Sequence, residues 1–332
     1  MGAHEAPVVT WPAELLDVFQ RAMTCEYASL TRAGAPITVP TTPYVGRSGT
    51  LDVTTGLTYP AKAERARRNP RVALLFADPI GAGVRDGPIV LVQGHAAVRD
   101  ADLQANTDRY VRESVEKLPG AVEGQPKALL RRLVFYYARI WIEITPVRIR
   151  WWSDRSLSDQ PRAWQADPDQ VWPQSDPAPP GRQPPAWLEP PKQWREVAAR
   201  AVRALPLADL TAVDREGFPV CLPVTAGELD GDRVSLEIGP GAPELSAGPA
   251  CLTLHDHDER FTTQENHTLI GALSREEDGL RLHVERVLAD WSLTGNRLER
   301  SIGFLRKGRS LAPRLKAEAA RRGQPVPKVR IP

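Results

Sequence analysis

The sequence predicts a mainly β protein of the α+β class, built as two small β-barrels in tandem with flanking helices and a pseudo-twofold axis between the halves. Three observations carry this expectation. Short runs rich in Val, Ile, Leu and Thr recur along the chain, bounded by Gly, Pro or Asp. A set of landmarks recurs in one order in both halves. A proline-rich stretch separates those halves. The length of 332 residues suits two domains at roughly 150 residues each.

In the first half the strand candidates are ITVPTTPYV from Ile37, TLDVTTG from Thr50, RVALLFAD from Arg71 and PIVLVQGHAAV from Pro88. IWIEITPVRIRWW from Ile140 reads as a final strand pair or one bent strand. AKAERARRNP from Ala61 reads as a short polar helix ended before Pro70. ADLQANTDRYVRESVEKL is a longer helix, with apolar spacing at Leu103, Tyr110, Val111 and Val115. A barrel with helices packed outside it is the economical architecture. Between Gln160 and Pro191, ten of 32 residues are proline. Proline fixes φ and removes a donor, so this stretch predicts an extended, semi-rigid connector. Its Trp164, Trp172 and Trp187 would pin it to a domain surface or wall a ligand pocket.

The repeat is weak but ordered. Gly34, Pro36, Pro40 and Gly56 fall 183 positions before Gly217, Pro219, Pro223 and Gly239. NPRVALLF at Asn69 resembles GPACLTLH at Gly248, and VLVQG at Val90 resembles HTLIG at His267. RWWS, with Trp151 and Trp152, resembles ADWS, with Trp291. A duplication explains four landmarks in one order. The expected domains are residues 1–159, a linker at 160–192, and residues 193–332.

Composition narrows the function classes. Apolar residues make up 42% and charged residues 25%, and the net charge is +2. Such a balance favours neither nucleic acid nor an anionic membrane as the main partner and leaves room for a local basic patch; a small-molecule substrate is the partner expected. Three widely spaced cysteines, Cys25, Cys221 and Cys251, suggest neither a disulfide framework nor a zinc site. A cytoplasmic location is expected, because the N-terminal residues carry no signal-peptide pattern and no apolar run reaches the ~20 residues of a membrane span.

The stretch from Thr54 to Phe76, TTGLTYPAKAERARRNPRVALLF, places Thr54, Thr55 and Thr58 at a strand end and Lys62 near the start of the following helix. Read from the residues alone, this is either an anion clamp or a solvated lysine on an exposed helix. The order of elements around it resembles the pyridoxamine-phosphate-oxidase-like superfamily of FMN-binding split β-barrels, over roughly Cys25 to Trp152. The resemblance includes PITVPTTPYV, the hydroxyl-ended strand, a lysine seven residues before Asn69-Pro70, RVALLF, VLVQGHAAV, the helix containing Tyr110, and VRIRWW. It implies that Lys62, Thr54, Thr55 and Thr58 hold the phosphate of FMN and that Val39, Pro40 and Thr41 lie along the isoalloxazine. Where the family often has arginine before the lysine, this chain has Ala61, so Arg65 or Arg67 would have to substitute.

The second copy departs further. Glu237 and Ile238 stand where Thr54 and Thr55 would recur, and GPGAPELSAGP carries no cation in place of Lys62. A glutamate facing a phosphate is repulsive, so this half is expected to have lost its phosphate site. Members of the family are usually homodimers with the cofactor at the interface, which implies that the second barrel stands in for a partner subunit. Whether the fused pair dimerises again stays open. WSLTGNRL, with Trp291 and Arg297, is similar to a signature that reaches cofactor and substrate in the oxidase proper, with Glu299 in place of its histidine.

His255 and His257 alternate on one strand face, and with His267 and His283 a metal or haem site can be drawn. No cysteine or carboxylate cluster joins them at a decisive spacing, so they read as solvated strand histidines and no metal is assigned. The basic tail KGRSLAPRLKAEAARRGQPVPKVR reads as a surface helix followed by an extended end, its basic face either solvated or docked against a cofactor phosphate. The resemblance implies an FMN-dependent oxidoreductase of unknown substrate. A reductase using the deazaflavin coenzyme and a non-catalytic flavin or haem carrier are the alternatives. The sequence singles out no catalytic acid or base.

Overall fold

The computed structural model describes residues 10–77, 87–118, 126–182, 189–258, 263–277, 279–289, 292 and 297–331, the side chains of 297–305 and 307 excepted. After a short helix α1 (Leu16–Arg21), the first half forms β1 (Cys25–Leu30), β2 (Pro36–Thr41), β3 (Tyr44–Val45), β4 (Leu51–Gly56), α2 (Ala61–Arg68), β5 (Arg71–Phe76) and β6 (Ile89–Arg99). Then come α3 (Leu103–Lys117), α4 (Lys127–Leu130), α5 (Val134–Tyr137), β7 (Arg139–Trp152) and β8 (Arg162–Gln165). The second half forms α6 (Trp194–Ala204), β9 (Leu207–Val213), β10 (Pro219–Pro223), β11 (Thr225–Asp230), β12 (Arg233–Glu237), β13 (Gly248–His257), β14 (Gln264–Glu276), β15 (Gly279–Val287) and α7 (Arg297–Arg321).

The first sheet runs β2-β1-β5-β6-β7-β4-β3, and the second runs β10-β9-β13-β14-β15-β12-β11. These are the same order strand for strand. Consecutive strands β2 and β3 end at opposite edges without pairing, which leaves each barrel split along one seam. The finer landmarks coincide as well. Gly34 and Gly217 share a φ of +81° in the first hairpin of each half, a conformation that glycine adopts without steric cost. Each half carries a register shift at one glycine: between Gln93 and Gly94 in β6, and between Ile270 and Gly271 in β14. One match shifts. The pairings Ala28↔Ala73 and Thr211↔Cys251 make Ala73 the counterpart of Cys251, one residue away from the match of NPRVALLF to GPACLTLH. The fold is therefore two tandem split β-barrels, mainly β with flanking helices.

The halves are related by a pseudo-twofold axis, because their contacts are reciprocal. Strand β2 packs on β9, β13 and β14, and its counterpart β10 packs on β1, β5 and β6. An isologous interface has this form. Thr38 is its polar centre: its hydroxyl meets that of Thr211 at 2.7 Å, and its carbonyl accepts from Thr253 and Thr268 at 3.3 and 3.1 Å. One apolar cluster joins Ala28, Leu75, Leu91 and Trp152 of the first half to Leu210, Leu222 and Leu252 of the second.

Two expectations are corrected. The proline-rich connector is not extended coil throughout: the proline-free residues Arg162–Gln165 pair with β7 as the edge strand β8. Its Trp164 packs on the first core and Trp172 lies 4.7 Å from the His95 ring, so both pin the connector to a surface, while Trp187 lies outside the described residues. The basic tail is a helix with one solvated face, at Arg309, Ser310, Pro313, Lys316 and Ala317, but its other face is not free. Helix α7 returns to the first barrel, where Leu315 and Ala319 enter its core and Leu311 is fully buried. Arg321 pairs with Glu64 of α2 at 2.9 Å, and Arg322 pairs with Asp100 at 2.9 Å. Among the described residues no helix is long and apolar enough to cross a membrane.

Candidate cofactor site

Strand β4 ends at Gly56, and the chain turns through Thr58 and Pro60 into α2. The turn is close-packed: a Cβ at Gly56 would lie 3.3 Å from Tyr59 Cδ2 and 3.5 Å from Arg139 Nη1. The turn sets Lys62 on the first turn of α2, facing strand β2, and Lys62 Nζ donates to Thr41 Oγ1 at 3.4 Å. The structure thus brings together Lys62 and Thr41, two expected site residues from separate elements. Val39, Pro40 and Thr41 are half-buried, as a strand flanking a ligand would be.

The three threonines are placed unequally. Thr54, Thr55 and Thr58 are all buried. Thr55 Oγ1 donates to the Tyr59 carbonyl at 2.7 Å, which turns its proton away from any anion at the helix start. The Thr58 carbonyl accepts from Arg314 Nε of α7 at 2.7 Å, so the returning helix closes over this corner.

Sequence reasoning missed one cation. Arg139 opens β7 directly across from Gly56, and its guanidinium lies over the Tyr110 and Tyr136 rings at 4.4 and 4.9 Å. Arg65 stands on the same side, with Nε donating to Ser29 Oγ at 2.9 Å, whereas Arg67 is drawn away to Asp100 at 2.9 Å. Burial first, then the positive charges of Arg139 and Arg65, pull the Lys62 ammonium down to about 7. Like charges brought together under partial burial are costly unless an anion joins them. The residues present therefore fit a phosphate group. Of the remaining expected contacts, Trp291 and the Arg297 side chain lie outside the described residues.

The second half shows what the same frame becomes without the clamp. The pairings of β12 make Glu237 the counterpart of Thr54, and a loop replaces α2 between β12 and β13. A cavity of about 380 Å³ lies there, lined by Ala208, Pro223, Val224, Thr225, Glu237 and Gly239, the counterparts of Cys25, Pro40, Thr41, Thr42, Thr54 and Gly56. Arg155 reaches its edge, but its guanidinium is held by Asp209 and by the carbonyls of Ala77 and Ala208.

The histidines are not solvated as expected: His255 is 1%, His257 7% and His267 3% exposed. The strand face that alternation assigns to His255 and His257 turns toward the other half, where His255 Nε2 meets Asp209 Oδ2 at 3.2 Å and Glu26 Oε1 at 3.3 Å. Alternation gave the shared face, but only the inter-barrel packing shows that it is covered.

No protein-family model matches the chain, and no curated protein matches it. Solved structures are similar to about half of it. One is a conserved hypothetical protein from Mycobacterium tuberculosis, 23% identical, with a TM-score of 0.34, covering 46% of this chain and 90% of its own. Another is titled F420 reductase, 16% identical, with a TM-score of 0.32, covering 42% of this chain and 98% of its own. A third is a pyridoxamine 5'-phosphate oxidase-related, FMN-binding protein from Nostoc punctiforme, 13% identical, with a TM-score of 0.33, covering 48% of this chain and 98% of its own. The chain is similar to these single proteins, and its own strand order makes it a tandem pair of split β-barrels.

Proposed function

We propose that the chain binds one flavin-type cofactor in its first barrel, by the phosphate, and that it is an FMN-dependent oxidoreductase. The observation that carries this reading is the convergence of Lys62, Arg139 and Arg65 on one buried corner beside the half-open strand Val39–Thr41. Lys62 and Arg139 would hold the phosphate and Thr54 would line its cradle, with Val39, Pro40 and Thr41 along the ring system. Bound flavin supplies the hydride or electron transfer, and the protein supplies position and electrostatics. Burial at this corner excludes water from the charged contacts, which strengthens them. The absorption spectrum and mass of the co-purifying ligand test the reading. An oxidised flavin spectrum and the mass of FMN support it. Colourless protein that binds added deazaflavin coenzyme moves the assignment to a deazaflavin-dependent reductase, and a Soret band moves it to a haem carrier. Protein that takes up none of the three has no such site.

A further inference from the structure

Glu26 and Asp209 occupy repeat-equivalent positions on β1 and β9, the first strand of each barrel. Their partners across the hairpins, Pro40 and Pro223, are equivalent too. The pseudo-twofold packing brings the two carboxylates together between the barrels, 3% and 1% exposed. His255 of β13 completes the group: one donor atom from each of the three residues lies within 4.8 Å of the others. We propose that Glu26, Asp209 and His255 bind one divalent transition cation of the Zn²⁺ class, which clamps the two barrels at their pseudo-twofold axis.

The geometry suits an ion. Ligands held about 2.0–2.2 Å from a metal at tetrahedral or octahedral angles lie roughly 2.8–3.6 Å from one another. The His255 Nε2 separations of 3.2 and 3.3 Å fall in that interval. An imidazole nitrogen carries at most one proton, yet this nitrogen faces two carboxylate oxygens. A proton there serves one oxygen well, whereas a metal ion serves all three donors. Two like charges under such burial are costly without cations nearby. Arg155 Nη2 holds the Asp209 carboxylate through Oδ1 at 3.1 Å and leaves Oδ2 turned to the histidine, the arrangement of an outer partner that orients a ligand. The charge of Glu26 also acts on Lys62. The donor set of one imidazole and two carboxylates fits Zn²⁺, Mn²⁺, Fe²⁺ or Co²⁺ better than Cu⁺.

The full chain, produced in medium supplemented with Zn²⁺ and then desalted, should retain about one equivalent by elemental analysis. Chain produced with Co²⁺ should show ligand-field absorption, and the metal-loaded form should unfold at a higher temperature than protein stripped by a chelator. Glu26→Gln and Asp209→Asn keep shape and remove charge, and each should bring retained metal to background. His283→Gln, at a half-buried histidine of β15 outside the group, should retain as much metal as the parent. If a charge-removing variant fails to fold, the Co²⁺ spectrum of the parent decides alone. The proposal is overturned if the parent retains only background metal, which would make the group a proton-bridged carboxylate pair. It is equally overturned if Glu26→Gln and Asp209→Asn fold and hold the ion as the parent does.

Discussion

At Lys62, burial and two arginines oppose the ammonium charge that a phosphate needs. A charge-assisted contact contributes on the order of 1.5–3 kcal/mol, so Lys62→Met should weaken FMN binding roughly ten- to a hundredfold. Riboflavin, which lacks the phosphate, should lose much less; equal losses for the two ligands would remove the phosphate assignment. The pH dependence follows from the same residue. With its pKa lowered to about 7 from 10.5, the lysine is charged below pH 7 and must take up a proton when a dianion binds above it. FMN affinity measured by fluorescence quenching should therefore fall as pH rises from about 7 to 9, and riboflavin should give a flatter profile. Arg139→Met removes one cause of that lowering. It should weaken FMN binding and move the midpoint of the pH profile upward; an unmoved midpoint would show that Arg139 does not act on Lys62. Lys62 was legible because it lies in a recognisable order of neighbouring elements. Arg139 was not, because only the pairing of β4 with β7 sets it opposite Gly56.

Elements are tied by a few buried groups. Helix α3 is fastened to β4 by Arg109 Nη2 on Asp52 Oδ2 at 2.6 Å, with Asp52 1% exposed and also receiving Thr50 Oγ1 at 2.6 Å. Burial outweighs Arg109 and raises the Asp52 carboxyl to about 6. A raised folded-state pKa contributes stability that is present below the unfolded value of 3.8 and lost as pH rises through 6. Arg109→Ala leaves a buried carboxylate unpaired and should cost about 3 kcal/mol at pH 8 by urea unfolding. The cost should shrink at pH 5, where the carboxyl takes a proton, and adding Asp52→Asn should recover much of it. No recovery would mean that Arg109 acts by packing on Trp141, whose ring lies 3.6 Å from its guanidinium carbon. The bulge glycines offer a second check. A Cβ at Gly94 would lie 2.6 Å from the Thr145 carbonyl oxygen, and one at Gly271 would lie 1.8 Å from that of His283. Gly94→Ala should cost about 1–3 kcal/mol and Gly271→Ala more, since backbone cannot step aside as a side chain does. At this scale most strands, the short helix α2 and the longer helix α3 of the first half were readable from period and punctuation. Strand β8 was not, because a short proline-free window sat inside a composition that argued against strand.

For the whole molecule, duplication followed by divergence predicts unequal halves. Only the first barrel keeps α2 with Lys62, so titration with FMN should saturate near one equivalent per chain. Two equal sites would show that the cavity at Glu237 and Gly239 binds flavin without a clamp. The halves also exchange support. Helix α7 follows the last strand of the second barrel yet buries Leu315 and Ala319 in the first, and Arg314 of α7 closes the corner at Thr58. A tail read as a polar face lies against the partner barrel because its apolar residues are few but spaced to meet one surface, and its arginines find Glu64 and Asp100 there.

The sequence by itself determined the two-barrel plan, most strands of the first copy, the absence of a lysine at the second copy's counterpart of Lys62, and Lys62 as the residue to test. These are local facts: strand period, turn glycines and a helix start are written in neighbouring residues. Tertiary structure alone decided that Arg139 joins Lys62, that α7 covers the first barrel, and that Glu26, Asp209 and His255 meet. Glu26 and Asp209 lie 183 positions apart, on strands whose composition says nothing of a shared site. They become neighbours only when two similar surfaces pack about an axis, a contact set by the shape of both barrels together.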